Sequence, residues 1–308
     1  MTNMTTLGKV IDRVENMARN HNDALIDVGD IEFQDLETVK LAGEPHRMRP
    51  IAQQSISTRL GIPYQYLQKC PPEIQEINLN HWIEKERNEQ LFFRFYGTEV
   101  RAIFTPRYIP TDNLEVIDRI LSLGYGRDEV VQCSLDDHFM MVNIPDGRQS
   151  FTINGEKMTP GISLSNSEVG LASLSIAAFV LRLVCTNGSI SKTEVSASYR
   201  HISTKIIKEL PDVFTKVSQE LTLKKDQFKL SLASRVDHIE STIDRFNKQF
   251  LLNKTEKEAV EWALPQEYGE TMFHVVNTYT KAAQYKELPA ESRYRLQRVG
   301  GMILEMVG

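Results

Sequence analysis

Cysteine is scarce in this chain, with three residues among 308. Cys70, Cys133 and Cys185 lie far apart in the sequence and form no Cys-x-x-Cys pair. Disulfide-stabilised domains carry closely spaced cysteines in even number, and structural zinc sites often carry such pairs, so the sequence argues against both. We therefore expect buried, free thiols, no bound metal and no cofactor.

Long apolar stretches are also missing. No run reaches the ~18 consecutive apolar residues of a membrane-spanning helix, and residues 1–20 lack the basic start and apolar centre of a secretory signal. Hydrophobic residues nevertheless make up 41% of the chain, enough to form a sizeable core. These properties predict a globular protein of the cytoplasm, in a bacterium or an infected host cell, without a membrane partner.

The common catalytic signatures are absent as well. The chain has no Gly-rich phosphate-binding loop, no His-Glu-x-x-His, no Gly-x-Ser-x-Gly and no deaminase pattern. One acidic cluster adjoins a histidine, Asp136-Asp137-His138, and it could supply part of a divalent-metal site. Aspartates between two apolar strands are more typical of a turn, in which their oxygens accept backbone hydrogen bonds. We favour the turn, and a protein without catalytic activity.

Acidic residues outnumber basic ones, but the two are unevenly distributed. The formal net charge is −5, which argues against a surface that is basic all over, as in many proteins that bind duplex DNA. Residues 189–254 contain 12 Lys and Arg against 8 Asp and Glu, a local charge of +4, while the rest of the chain contains 24 against 33, a charge of −9. An acidic outer surface can therefore coexist with a basic groove.

Hydrophobic periodicity predicts both helices and strands. Helical spacing predicts a first helix over residues 5–20, and residues 128–165 alternate as in an antiparallel meander. Later segments have long helical periods, among them residues 254–263, 269–283 and 290–306. We predict an α+β fold in which a twisted antiparallel sheet is packed by helices. Two regions are expected, a core over residues 1–195 and a mostly helical C-terminal third over residues 196–308.

The stretch NSEVGLASLSIAAFVLRLVCTNGSI, residues 166–190, is the most distinctive in the chain. Its first five residues predict a bend whose Asn, Ser and Glu side chains hydrogen-bond to local backbone groups and hold Arg182. Residues 171–185 predict a long strand, with a helix as the alternative. The lone charge in it, Arg182, is expected to pair with Glu168, and the alternative is an anion contact in a cleft. We assign structural roles to Asn166, Glu168, Gly170, Arg182, Asn187 and Gly188.

Four stretches of the chain carry a family resemblance. They are LGIPYQYLQKCPPEIQEINLNHWI, VRAIFTPRYIPTDNLEVID, GISLSNSEVGLASLSIAAFVLRLVCTNGSI and HVVNTYTKAAQYKELPAESRYRLQRVGGMIL. In this order they resemble the phage- and plasmid-associated family called domain of unknown function 932, over roughly residues 55–305. The resemblance implies a protein carried by bacterial mobile elements, and it implies no settled activity.

Several cations lie next to aromatic residues, which is the chemistry of a single-strand site. Lys and Arg side chains follow the phosphates there, and bases stack on flat side chains. We expect nucleic-acid contacts from Arg101, Arg107, Tyr108, Lys192, Tyr199, Arg200 and Lys205. The first hypothesis is a non-catalytic, self-associating protein of DNA recombination or replication that binds single-stranded nucleic acid, with strand annealing as an extension.

Two alternative hypotheses remain open. The first is a metal-dependent nuclease that uses Asp136, Asp137, His138 and Asp112. The second is an interaction factor that modulates a host or viral partner and docks through its C-terminal helices.

Overall fold

The computed structural model describes residues 3–153, 155–183, 189–191, 197–199 and 226–307. Helices and antiparallel sheets are both present and the C-terminal region is helical, so the predicted α+β class is confirmed. The chain forms two compact units. Arg13–Pro110 is called the hairpin unit, and Met1–Asp12 with Thr111–Gly308 is called the large-sheet unit.

The described helices comprise α1 (Leu7–Ala18), α2 (Pro50–Arg59), α3 (Tyr64–Leu67), α4 (Pro72–Ile83), α5 (Asn113–Ser122), α6 (226–233), α7 (Ile239–Gln249), α8 (Lys254–Ala263), α9 (Met272–Ala282) and α10 (Ala290–Glu305). The described strands comprise β1 (Asn3–Thr6), β2 (His21–Asp27), β3 (Ile31–Phe33), β4 (Thr38–Leu41), β5 (Glu44–Arg47), β6 (Gln90–Tyr96), β7 (Glu99–Phe104), β8 (Val130–Leu135), β9 (Met140–Pro145), β10 (Phe151–Ile153), β11 (Glu156–Asn166), β12 (Leu174–Leu183), β13 (Ser189–Ser191) and β14 (Ala197–Tyr199).

The hairpin unit contains two small antiparallel sheets, in the orders β2-β6-β7 and β3-β4-β5. Their apolar faces and the helices α2 and α4 share one core, in which Phe33, Ile56 and Phe93 are fully buried. The outer edge of β3 pairs with no other strand of this sheet. A side chain of α4 instead forms hydrogen bonds with the backbone of β3 at this edge. Asn80 accepts from the N–H of Phe33 and donates to its carbonyl, both at 2.8 Å. This amide therefore completes the sheet edge as a neighbouring strand would.

The large-sheet unit is built on one eight-stranded antiparallel sheet. Its main order is β1-β8-β9-β11-β12-β13, while β10 pairs with β11 and β14 pairs with β12. Residues 130–166 form the predicted meander, and the strand interpretation of residues 171–185 is confirmed from Leu174 to Leu183.

Helices of the C-terminal region pack against this sheet. Phe228, Val260 and Val276 share a buried cluster with Met158 of β11 and Val180 of β12. Because the helices and the sheet share a core, they fall into one compact unit. The predicted boundary after residue 195 therefore does not coincide with a limit of either unit.

An arginine inside the C-terminal region closes the connection between α9 and α10. Arg293 is buried, and its guanidinium donates to the carbonyls of Ala283, Lys286 and Leu288 at 2.9–3.0 Å. Burial lowers the pKa of Arg293, and the charge of Asp136 opposes that shift. The guanidinium thus acts as a structural cross-link, because it satisfies one carbonyl at the end of α9 and two in the connection that follows.

The structure also tests the expected burial of the cysteines and the expected lack of a membrane-spanning helix. Cys133 is buried, as predicted, whereas Cys70 is only half-buried, and Cys185 lies outside the described residues. Within the described ranges, no helix is long and apolar enough to cross a membrane.

Close strand packing at Gly161 generates a stability prediction. Gly161 lies opposite Phe179, and an added Cβ would overlap the Phe179 ring and the carbonyl of Ile144. We expect Gly161→Ala to lower the free energy of unfolding by about 1–3 kcal/mol, measured by urea denaturation. The control is Gly147→Ala, whose Cβ would meet nothing within 4 Å. Equal stability of the two variants would contradict the prediction.

Candidate functional site

The predicted nucleic-acid contacts are divided between the two units. Arg101, Arg107 and Tyr108 belong to the hairpin unit. Tyr199 ends β14 opposite Leu174 in the large sheet, and only its backbone is described. The remaining predicted contacts, and the predicted turn that follows β12, lie outside the described residues: Lys192, Arg200, Lys205, Asn187 and Gly188.

A short turn after β7 carries two of the predicted residues. The N–H of Tyr108 donates to the carbonyl of Thr105 at 3.0 Å, which closes a β-turn with Pro106 at its second position. The turn places the Tyr108 ring on the Phe104 ring, with centroids 3.8 Å and planes 2° apart. The ring of Phe92, on strand β6, lies 5.5 Å from the Tyr108 ring. We call Phe92, Phe104 and Tyr108 the Tyr108 stack.

Arg107 occupies the third position of this turn and is exposed. Tyr108 is half-buried beside it, so a cation and a stacked ring lie together at the protein surface. Sequence neighbours are adjacent in any fold. The structure adds that the arginine faces solvent and that the tyrosine is fixed against a second ring.

A second arginine of the hairpin has a structural partner. The Arg94 side chain is 1% exposed, and it donates from Nε and Nη2 to the two carboxylate oxygens of Asp23, at 3.0 and 3.2 Å. A buried arginine requires partners for its guanidinium, here a carboxylate, because an unpaired buried charge is strongly destabilising. Its guanidinium carbon lies 6.0 Å from the centre of the Tyr108 ring, so the ion pair also borders the Tyr108 stack.

Arg101 requires a correction, because it is 3% exposed. In the pairing of β6 with β7, Phe95 faces Val100 and Arg94 faces Ala102, which makes Arg101 the extra residue of a β-bulge. The bulge interrupts the alternation of a regular strand, in which Arg101 would point away from the face of Val100 and Ala102. A buried guanidinium does not offer its charge to a phosphate in solvent, so Arg101 is an interior residue and not a surface contact.

The NSEVG bend is observed, but the predicted local partners of Asn166 and Glu168 are wrong, because these side chains bond to a distant segment. Asn166 donates to the carbonyl of Thr111 at 2.9 Å and to Oδ1 of Asn113 at 3.0 Å. Glu168 accepts from the N–H of Asn113 at 2.8 Å, and so caps α5 from a distant segment. Gly170 has φ +85°, a left-handed conformation that favours glycine. We call residues 166–170 the buried turn.

Ser167 connects the buried turn to another part of the chain. Its hydroxyl donates to the carbonyl of His138 at 2.8 Å and accepts from the N–H of Leu171 at 3.0 Å. Asn166, Ser167 and Glu168 are all buried, so each of these bonds is shielded from water.

The predicted pair of Arg182 with Glu168 is wrong. Strand β12 pairs with β11 along its whole length, so that Ser175 lies beside the buried turn and Arg182 lies opposite Met158 at the far end. The eight residue-to-residue steps of strand from Leu174 to Arg182 span about 26 Å, which no ion pair bridges. The buried turn is therefore held by backbone groups and by Asn113, not by the strand arginine.

The Asp136-Asp137-His138 cluster forms a turn, as favoured above. Asp136 Oδ1 accepts from the N–H groups of His138 and Phe139 at 3.0 and 2.9 Å, and Oδ2 accepts from the N–H of Ala290 at 2.9 Å. Asp136 thus fastens the beginning of α10, where a carboxylate also interacts favourably with the helix dipole. No group of three or more His, Cys, Asp and Glu side chains in the described part of the chain is arranged to hold a metal ion.

One face of α10 lines a cavity of about 290 Å³ in the large-sheet unit, which we call the α10 cavity. Helical spacing places its α10 residues on this face, namely Glu291, Tyr294, Arg295, Arg298, Val299 and Met302. Opposite them lie Phe139, Phe250, and Leu171 and Ala172 from the chain just after the buried turn. Two of the stretches that carry the family resemblance therefore meet at this cavity.

The lining of the α10 cavity includes both charged and aromatic side chains. The Phe139 and Tyr294 rings lie 5.2 Å apart, and the guanidinium carbon of Arg298 lies 5.8 Å from the Tyr294 ring. Burial raises the pKa of Glu291, and the neighbouring Glu256 raises it further. Arg295 already binds Glu256 at 2.9 Å and the Phe250 carbonyl at 2.7 Å.

Sequence reasoning missed this cavity, although one signal for it was present. Tyr294, Arg298 and Met302 recur at intervals of four in a segment that predicts a helix, which indicates a common face. The signal was incomplete because the opposite wall comes from distant parts of the chain, with Phe139, Leu171 and Ala172 more than 100 positions before α10.

A second missed feature is an apolar exposed face on α4. Ile77 is 64% exposed, and Ile74, Trp82 and the nearby Tyr66 are also exposed. Lys85 Nζ lies 3.6 Å from the centre of the Trp82 ring. Exposed clusters of large apolar side chains often mark interaction surfaces. We call Tyr66, Ile74, Ile77 and Trp82 the α4 face.

The chain matches no protein-family model, no curated protein and no solved structure among those compared.

The remote cap on α5 generates the second prediction. Glu168→Ala removes the acceptor of a buried N–H, and we expect it to lower the free energy of unfolding by about 1–3 kcal/mol. Glu168→Gln keeps an acceptor oxygen and should lose less. Asp112→Ala is the comparison, because Asp112 holds the N-cap position without a capping bond from its side chain. Equal losses for Glu168→Ala and Asp112→Ala in urea denaturation would contradict the assignment.

Proposed function

We propose that this protein binds single-stranded nucleic acid without cutting it, in the recombination or replication of a phage or plasmid. The observation that carries the proposal is the exposed Arg107 beside the Tyr108 stack. A flexible strand offers phosphates and unpaired bases together, so it is recognised by a cation next to an aromatic surface. Duplex DNA keeps its bases stacked inside, so the same arrangement favours single strands.

The charge distribution supports a local site. Arg94 is neutralised by Asp23, and Arg101 is buried. Of the arginines on β6, on β7 and in the turn after β7, Arg107 is therefore the one that can contact a phosphate in solvent. The basic segment over residues 189–254 would add charge in the large-sheet unit, and three of the predicted contacts, Lys192, Arg200 and Lys205, belong to it. The resemblance to the mobile-element family is the reason for placing this binding in phage or plasmid DNA metabolism.

Nuclease activity is less well supported by the geometry. Both carboxylate oxygens of Asp136 accept hydrogen bonds from backbone N–H groups, so they are already used in the fold and are poorly suited to bind a metal ion. The binding experiment below includes magnesium, because strand cleavage only in its presence would favour this alternative.

The third prediction concerns Arg107. Arg107→Ala should weaken the binding of a fluorescent oligothymidylate several-fold and reduce the slope of log K against log salt by about 0.7, the value for one lost phosphate contact with a single strand. Fluorescence anisotropy across a salt series, with and without magnesium, measures both. Circular dichroism should show an unchanged fold, since the Arg107 side chain is exposed.

The matched control is Arg87→Ala, which removes the same charge from an arginine that pairs with Glu84 in the same unit. This variant should bind like the parent. If the parent binds no single strand at low salt, the proposed function is wrong. If the parent binds and both variants bind equally well, the function stands and the assignment to Arg107 is wrong.

We also propose that the chain self-associates through the α4 face. An apolar patch on one helix can pack against the same patch of a second copy related by a two-fold axis, and this removes apolar surface from water in both copies.

The fourth prediction tests this self-association. Ile77→Lys places a charge at the most exposed residue of the α4 face and should lower the solution mass, measured by sedimentation velocity, to that of the monomer. Leu230→Lys is the control, because Leu230 is also an exposed helical residue but belongs to α6. A monomeric parent, or an unchanged mass for Ile77→Lys, would refute the proposal.

A further inference from the structure

The outer edge of strand β2 differs from the outer edges of β3 and β7 in the same unit. The β3 edge is bonded by the side chain of Asn80. Strand β7 is bridged by the chain at Met48, and the N–H of Arg49 donates to the carbonyl of Val100 at 2.8 Å. Strand β2 pairs with β6 along all seven of its residues and with no other described strand, so its second side is an open edge.

The ladder between β2 and β6 shows which backbone groups face outward. Just beyond the two ends of β2, the N–H of Val28 donates to the Glu89 carbonyl at 2.9 Å, and the Asn20 carbonyl accepts from the N–H of Gly97 at 2.7 Å. In an antiparallel pair, residues that bond to the partner strand alternate with residues whose N–H and C=O point away from it. The even-numbered residues of β2 therefore bond to β6. The outward backbone groups, which have no partner in the described part of the chain, are those of Asp23, Leu25 and Asp27.

This edge of β2 is accessible to solvent. Leu25 is 48% exposed, and Asp27 is exposed beside it. Asp23 is also an exposed residue, although its side chain, which binds Arg94, is only 26% exposed. Much of the exposure of Asp23 therefore comes from its backbone. A seven-residue edge with an open backbone, an exposed leucine and neither proline nor lysine is a template for pairing with another extended segment.

The side chains of β2 restrict which segment can pair with it. Asp27 lies on the same face as Leu25, and its Oδ1 accepts from Gln90 at 2.8 Å, so an exposed carboxylate is held beside the edge. On the other face, Ala24 and Ile26 are half-buried and pack against the core of the hairpin unit. Opposite charges and apolar pairs across neighbouring strands are stabilising. A matching antiparallel segment therefore has a basic residue opposite Asp27 and apolar residues opposite the three residues before it.

Charge argues against a second copy of β2 as the occupant. Two copies paired about Leu25 would place the Asp23 of each opposite the Asp27 of the other, and like charges directly opposite are destabilising. Pairing about Ala24 brings His21 opposite Asp27, but it leaves Asp23 diagonal to both carboxylates of the other copy. A basic segment from a different protein meets no such repulsion.

We infer that the β2 edge binds an extended, basic segment of a partner protein by antiparallel strand addition. The segment forms main-chain hydrogen bonds with Asp23, Leu25 and Asp27, and its Lys or Arg lies opposite Asp27. In this mode of recognition the main-chain bonds supply affinity, and the alternating side chains supply selectivity. The inference is independent of nucleic-acid binding, because it uses neither Arg107 nor the Tyr108 stack.

The fifth prediction tests strand addition with a fluorescein-labelled peptide, Gly-Lys-Val-Leu-Val-Thr-Gly. Running antiparallel to β2, it places its Lys opposite Asp27 and its Leu opposite Leu25, and fluorescence anisotropy with the full chain measures binding. N-methylation of the peptide Leu should weaken binding roughly ten-fold or more, because it removes a main-chain bond to Leu25. The matched control is N-methylation of the Val opposite Ala24, whose N–H points away from β2, and it should have little effect.

Variants of the chain test the edge itself. Leu25→Pro removes an outward N–H but no bond between β2 and β6, so it should weaken binding strongly, whereas Leu25→Val keeps the N–H and should bind. Asp27→Lys should weaken binding of the Lys peptide several-fold and strengthen binding of the same peptide with Glu in place of Lys. Asp30→Lys is its control, because this exposed aspartate lies beyond the end of β2.

The outcomes decide the inference in either direction. A parent that does not bind the peptide, or equal binding of the two N-methylated peptides, would refute it. A lower solution mass for Leu25→Pro in sedimentation velocity would show that the edge pairs with a second copy, and the inference would again be wrong. A reversal of charge preference in Asp27→Lys, absent from Asp30→Lys, supports it. Circular dichroism checks each fold, and if Leu25→Pro does not fold, the N-methylated peptides and Asp27→Lys decide.

Discussion

The hydrogen bonds of the buried turn hold the large-sheet unit together. Asn166, Ser167 and Glu168 bind backbone groups of Thr111, Asn113 and His138, which lie 29 to 55 residues away in the chain. Each of these groups is shielded from water, and a buried donor or acceptor left without a partner costs about 1–3 kcal/mol. The β11–β12 connection, the beginning of α5 and the β8–β9 turn are therefore fixed to one another by polar contacts rather than by apolar packing alone.

The same arrangement builds the walls of the α10 cavity. Ser167 accepts from Leu171, and this bond positions the chain that provides Leu171 and Ala172. Asp136 turns the chain toward Phe139 and also fastens the first residue of α10. The acidic cluster that suggested metal chemistry thus has a structural role, because its oxygens are used for backbone amides.

Charge counted from the sequence is a poor guide to the charge that this protein presents. Arg94, Arg101 and Arg293 are all buried, and two of them satisfy a carboxylate or a set of carbonyls inside the fold. A binding partner meets the exposed arginines, of which Arg107 lies beside a stacked tyrosine. The cation on which the proposed function depends is therefore Arg107 of the hairpin unit, because its side chain is exposed.

Patterns among residues a few positions apart were sufficient to predict most of the helices and strands. The helix over residues 254–263 was predicted from its periodicity with its observed bounds. The structure shows that its start is also fixed locally, because Asn253 and Glu256 form a capping box within one turn. The strand over most of residues 171–185 was also predicted from neighbouring residues. The prediction failed where an inserted residue changed the alternation, as at Arg101, and where a partner was chosen by proximity in sequence, as for Arg182 and Glu168.

The sequence by itself determined the α+β class, most helices and strands, and the polar character of residues 166–170, because these depend on residues a few positions apart. Only the tertiary structure decided which distant groups those polar residues bind, which arginines are buried, and which residues face each other across the α10 cavity. The physical reason is that a buried polar group requires a partner but does not specify it. The partner is set by the strand register and helix packing of the whole unit.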